Sequence, residues 1–139
     1  MTFPNFPYKR GTILAIAGKI NHLHVICSDI YFSAQKGAYS VLAVNITSVP
    51  NDSPFDDACV LEAGDHPFIK HKSYVYYKEA VVYKVDLLQQ KIQTKEVVIR
   101  EDVTNEVFEK IINGFKTSSF VNRKIRKALK ECGILDSNG

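Results

Sequence analysis

The hydrophobic period of this chain changes once, near residue 102, and that change limits the folds open to it. Before it, apolar residues come in short runs separated by turn formers. After it, Val103, Val107, Phe108, Ile111, Ile112 and Phe115 recur at helical spacing and share one face. Asp102 or Thr104 is the expected N-cap, and Gly114 stands near the expected end. A second helix is predicted from Ser118 or Ser119, with Phe120, Val121, Ile125, Ala128 and Leu129 on its apolar side and Gly133 as its C-cap.

The stretch before the switch reads as strands. Gly11 to Ala17 is a continuous apolar run, Gly18 to Asn21 a turn, and His22 to Ser28 a second strand. Asp29 to Gly37 is expected as a loop and Ala38 to Ile46 as a third strand, closed by the dense turn formers of Thr47 to Pro54. Ala58 to Leu61 is a short fourth strand, Tyr74 to Val85 a long bent fifth, Leu87 to Ile92 a single helical turn, and Glu96 to Arg100 a sixth strand. Strands followed by helices, and not alternating with them, predict a mainly β fold: a small antiparallel barrel of five to six strands with two C-terminal helices. The barrel would occupy residues 9–100 and the helical pair 102–133 of one domain.

Composition narrows the function classes. With 45% hydrophobic and 24% charged residues the chain is of ordinary globular type. A net charge of +3 does not by itself mark a nucleic-acid binder. No apolar run approaches the ~18 residues of a membrane span, and MTFPNFPYKR lacks the pattern of a signal peptide. Cys27, Cys59 and Cys132 are odd in number and widely spaced, which fits reduced thiols in a cytoplasmic protein; Cys27 and Cys59 read as small core residues. There is no GxxxxGK phosphate loop and no local signature of Ser–His nucleophilic catalysis. The four histidines match no standard zinc spacing, so no metal or other cofactor is expected.

The densest chemistry lies in residues 58–80. After Glu62-Ala63-Gly64-Asp65, the segment His66 to Ser73 holds two imidazoles, two ammoniums and a hydroxyl, and Tyr74-Val75-Tyr76-Tyr77 follows as a strongly β-forming run. Gly64 and Pro67 break regular structure, placing the polar cluster on a loop between two strands, where binding and catalytic groups commonly sit.

Three motifs in this order resemble the MazF/PemK family of toxins from type II toxin–antitoxin pairs, over about residues 9–115. They are Lys9-Arg10-Gly11 leading into strand one, Asn45-Ile46-Thr47-Ser48 closing strand three, and Ser73-Tyr74-Val75 leading into Ala80 to Asp86. The resemblance implies an SH3-like barrel that forms a homodimer, cuts single-stranded RNA without a metal by way of the 2′-hydroxyl, and is silenced by a cognate antitoxin. The chain departs from the family where an Arg-Pro pair usually opens strand two; here His22-Leu23 stands there. The family's second cluster on the fifth strand would fall near Tyr76 to Lys78.

Such cleavage needs a base for the 2′-hydroxyl proton, an acid for the leaving 5′-oxygen, and cations for the phosphorane. Histidine serves either proton-transfer role near neutral pH. His66 and His22 are the expected acid/base pair, with His71 a further candidate and Thr47 and Ser73 positioning oxygen atoms. Lys70 and Lys72 would anchor phosphate, Lys19 would add to RNA binding, and Tyr74 and Tyr76, which share a strand face, could stack bases. Between Ser118 and Lys130 lie five basic residues and no acid, equally a solvated helix face or an anion-attracting one. Two other readings stay open: a non-enzymatic poison of a protein target, like the CcdB toxins, and an SH3-like nucleic-acid-binding module. The nuclease reading requires the start of strand two and the Gly-Asp-His-Pro bend to close on one cleft.

Overall fold

The computed structural model describes residues 6–17 and 20–136. β1 (Thr12–Ala17) and β2 (Ile20–Ile26) pair antiparallel from Thr12↔Val25 to Ala17↔Ile20. β3 (Tyr31–Ser33) folds back on β4 (Ala38–Ser48), and β5 (Val60–Leu61) pairs with the start of β6 (Ser73–Lys84). After α1 (Val85–Gln93), β7 (Val97–Arg100) joins the free side of β1; α2 (Asn105–Thr117) and α3 (Arg123–Glu131) follow. The order across the sheet is β5-β6-β4-β2-β1-β7, with β3 on β4 outside that path. The sheet curls into a half-barrel, so the mainly β expectation of a small antiparallel barrel with two C-terminal helices holds.

Strand alternation sorts the core into two layers. Leu23, Val25, Leu42, Val44, Ile46, Val75 and Tyr77 face α2 and α3 and pack against Phe108, Ile111, Phe115, Ile125 and Leu129. Ile13, Ile26, Val41, Ala43 and Val97 face the other way and are covered by Val85 and Leu88 of α1. Cys27 and Cys59 are buried in the first layer, as small core residues should be.

Four local expectations need correction. The loop expected over 29–37 contains β3, because Tyr31-Phe32 pairs with Tyr39-Ser40 through a tight turn that Gly37 closes at φ +62°. The single helical turn expected at 87–92 is the nine-residue α1, whose Val85 and Leu88 fill the second layer. Ile20 and Asn21, expected in a turn, already belong to β2; residues 18 and 19 lie outside the described residues. The last helix is capped by Asn122 and does not start at Ser118 or Ser119. Ser118 instead ends α2 in extended backbone and donates its hydroxyl to buried Asp56 at 2.6 Å, which leaves Phe120 outside the helix and 51% exposed. Elsewhere the caps agree: Thr104 accepts from the Val107 amide at 3.2 Å, and Gly133 follows α3 at φ +86°.

The Lys9-Arg10-Gly11 lead-in is a structural clasp. Arg10 holds φ +78°, its amide donates to the Ile26 carbonyl, and its guanidinium forks onto the Val103 carbonyl at 3.1 and 3.2 Å. It thereby joins the start of β1 to the linker between β7 and α2.

Candidate active site

The face covered by α1 is divided. Its apolar half lies under the helix; along β2, β4 and β6 the other half carries His22, His24, Asn45, Thr47, Tyr74 and Tyr76. That arrangement follows from period two: Asn45 pairs with His24 and Tyr76, and Thr47 with Tyr74. A β-bulge sets four residues of β6, Tyr77 to Ala80, against Val44 alone and bends the strand there.

At the end of this half-face opens a groove of about 490 Å³, lined by His22 from β2, Thr47 and Ser48 from β4, and Phe68, Lys70, His71 and Ser73 from the loop and the start of β6. The start of strand two shares this cleft with Phe68 to His71, the later half of the loop, whereas none of Gly64, Asp65, His66 and Pro67, the bend expected to close on it, lines it. Five of the sequence-derived candidates line it: His22, Thr47, Lys70, His71 and Ser73. Asn21 and Phe68 also line it and were not singled out in the sequence, as does Ser48, the last residue of the Asn45-Ile46-Thr47-Ser48 motif. Ser73 is buried and donates its hydroxyl to the His71 carbonyl at 2.8 Å, so it braces the loop that presents His71.

His66 is the exception. It is 1% exposed and lies beneath the groove loop, not among the groove's lining residues. The Phe68 amide donates to Nδ1 at 3.0 Å, so Nε2 carries the proton and donates to the Glu101 carbonyl at 2.7 Å. The Thr12 hydroxyl donates to that same carbonyl at 2.7 Å and lies 3.3 Å from Nε2. Both ring nitrogens are thus engaged with the protein, and the imidazole ties the loop to β1 and to the end of β7. The loop is closed further by Gly64 donating to the Ile69 carbonyl at 2.9 Å and by Arg100 lying 5.7 Å over the Phe68 ring. Lys70 and His71 project from a braced loop.

His24 lies on the same face but is 6% exposed. Burial lowers its pKa, outweighing the opposing effect of its backbone bond, in which Nδ1 donates to the His22 carbonyl at 3.1 Å. Its ring meets Tyr83 edge-on at 6.1 Å, which makes it a packed neutral histidine beside the groove.

Tyr74 and Tyr76 border a second cleft, of about 310 Å³, with Phe55, Asp56, Lys78 and Phe120. Phe55 and Tyr74 stand 5.1 Å apart and Tyr74 and Tyr76 5.6 Å apart, forming an aromatic row. Asp56 is turned inward, with its two oxygens accepting from Ser118 and the Ala58 amide. Sequence reasoning found the two tyrosines by their alternation; Phe55 and Phe120 come from distant turns that only the fold assembles. Lys72 is exposed on the loop outside the groove lining, and Lys19 lies outside the described residues. Among the described residues no group of three or more His, Cys, Asp or Glu is placed to hold a metal, and no helix is long and apolar enough to cross a membrane.

Fold and site together define a small curled antiparallel sheet with a His/Lys/hydroxyl groove beside an aromatic cleft. Compared with known proteins, the chain matches no family model, no curated protein and no solved structure.

Proposed function

We propose that the chain is a metal-independent endoribonuclease acting on single-stranded RNA, the toxin of a type II toxin–antitoxin pair. The observation that supports this most is the convergence of His22, His71, Lys70 and Thr47, from three separate segments, on one groove. In this reading one imidazole takes the 2′-hydroxyl proton as that oxygen attacks phosphorus. The other protonates the 5′-oxygen as the P–O5′ bond breaks, leaving a 2′,3′-cyclic phosphate and a 5′-hydroxyl. Lys70 offsets charge on the phosphorane, Thr47 donates a hydrogen bond to it, and the Tyr74/Tyr76 row stacks a neighbouring base. His66 and Ser73 hold the loop and act as positioning residues. The same reading gives the protein a cognate antitoxin and a homodimeric state.

The test is cleavage of a single-stranded RNA in EDTA. Wild type should cut, and His22→Ala and His71→Ala should each slow cutting by about 100-fold or more. Absence of cutting by wild type, or undiminished cutting by both variants, refutes the proposal.

A further inference from the structure

The positive charge of this protein is concentrated in one place, and folding does not account for it. Lys36 and the five cations of α3 are six of the chain's 18 Lys and Arg; the other 12 face 15 Asp and Glu. Arg123, Lys124 and Arg126 occupy the first turn of α3, which contains no acid. A helix N-terminus carries partial positive charge, so each cation there opposes the macrodipole by roughly 0.3–1 kcal/mol at low salt. Apolar packing explains only Ile125, Ala128 and Leu129, which are buried. Among the described residues neither ion pair, Lys9–Asp29 or Arg100–Glu101, involves α3.

Five of these six cations, all but Arg126, border a trough. One part, of about 530 Å³, is lined by Gln35, Lys36, Arg123, Lys124 and Lys127. The next, of about 390 Å³, shares Gln35 and Lys127 and runs on to Lys130. The turn between β3 and β4 is fastened to the helix, because the Ala34 amide donates to Glu131 at 3.0 Å and Gln35 donates to the Lys124 carbonyl at 3.4 Å. Lys36 is thereby held beside α3, and Glu131, the one carboxylate among the described residues lining the trough, accepts the Ala34 amide with Oε2. Arg123, Lys127 and Lys130 follow one another at i, i+4 and i+7, a row about 10 Å long.

We infer that this trough binds the phosphate backbone of single-stranded RNA, without reading its sequence, and tethers substrate outside the catalytic groove. The inference takes RNA as the ligand from the proposed function. Chemistry favours a phosphate chain over a protein partner: the 530 Å³ part is lined by cations and one carboxamide alone, with none of the aromatic or aliphatic anchors that protein interfaces rely on.

The test uses the full chain and a 2′-O-methyl RNA oligonucleotide, which cannot be cut, so binding is read apart from cleavage. For single strands each phosphate contact contributes about 0.7 to the slope of log K against log salt. Arg123→Gln/Lys124→Gln/Lys127→Gln should lower that slope by about 2 and weaken binding near 0.1 M salt by up to about 100-fold. It should leave the melting temperature unchanged or slightly raised, since cations leave a helix start. An unchanged slope in the folded triple variant overturns the inference even if wild type cuts RNA. A triple variant that loses binding to poly-glutamate but keeps RNA binding also overturns it, in favour of an acidic protein. A slope that falls as expected in a protein that cuts nothing upholds the inference and refutes the nuclease.

Discussion

Removing the His66 imidazole separates a proton-transfer role from a structural one. In His66→Ala the part-buried Phe68 amide loses its partner at 3.0 Å, a loss toward the lower end of the about 1–3 kcal/mol for an orphaned donor. The Glu101 carbonyl keeps the Thr12 hydroxyl at 2.7 Å, so losing Nε2 adds only about 1 kcal/mol there. With part of the ring's volume left unfilled, the total is about 3 kcal/mol or somewhat more. At roughly 2.1 cal/mol/K per residue the unfolding entropy of 139 residues is about 0.3 kcal/mol/K, so the melting temperature should fall by about 10 °C. His66→Gln can still donate to the Glu101 carbonyl and should lose about half as much. Thermal unfolding followed by circular dichroism reads both, and RNA cleavage is measured well below either transition. A melting temperature within about 2 °C of wild type in His66→Ala would refute the strut. A well-folded His66→Gln protein that cuts about 100-fold more slowly would show that the imidazole itself moves a proton.

Gly114→Ala would ordinarily gain about 1 kcal/mol in a helix interior, but here the new Cβ overlaps the Tyr77 hydroxyl, which is fixed by its 2.6 Å bond to the Ile111 carbonyl. The expected result is a net loss of about 1–3 kcal/mol in denaturant melts, and a gain would show that the contact relaxes freely. Because burial lowers the pKa of His24, the unfolded chain binds its proton first as pH falls. Wild-type stability should therefore decline below the unfolded value near ~6.5, and His24→Gln should flatten that decline; equal pH slopes in the two proteins would contradict it. Replacing Tyr74 and Tyr76 together by Leu should weaken binding of an uncut oligonucleotide by about 1–3 kcal/mol for each base that stacks there, and unchanged affinity would remove the aromatic cleft from the RNA path.

Periodicity in the sequence is enough to determine the layers of this protein. Alternating apolar residues in β2 and β4 can bury one set only by exposing or covering the other, and the helical spacing of Val107, Phe108, Ile111 and Phe115 supplies a lid for one side. The caps at Thr104 and Gly133 are equally local, since each satisfies backbone groups within one turn. The order of strands makes a groove shared by His22 and His71 reasonable to expect, yet does not dictate it. That sharing depends on β4 lying between β2 and β6, a pairing set by contacts distant in sequence. Tertiary structure alone decided the place of His66. Its partners Thr12 and Glu101 stand 54 and 35 residues away, and nothing near Gly64-Asp65-His66-Pro67 distinguishes an imidazole that points to solvent from one bonded on both nitrogens. The same holds for Ser118, which ends a helix where local propensity would have begun one, because a buried carboxylate 62 residues earlier accepts its hydroxyl. Periodic apolar patterns act through near neighbours and survive in the linear chain; hydrogen bonds between distant buried groups exist only once the sheet has closed.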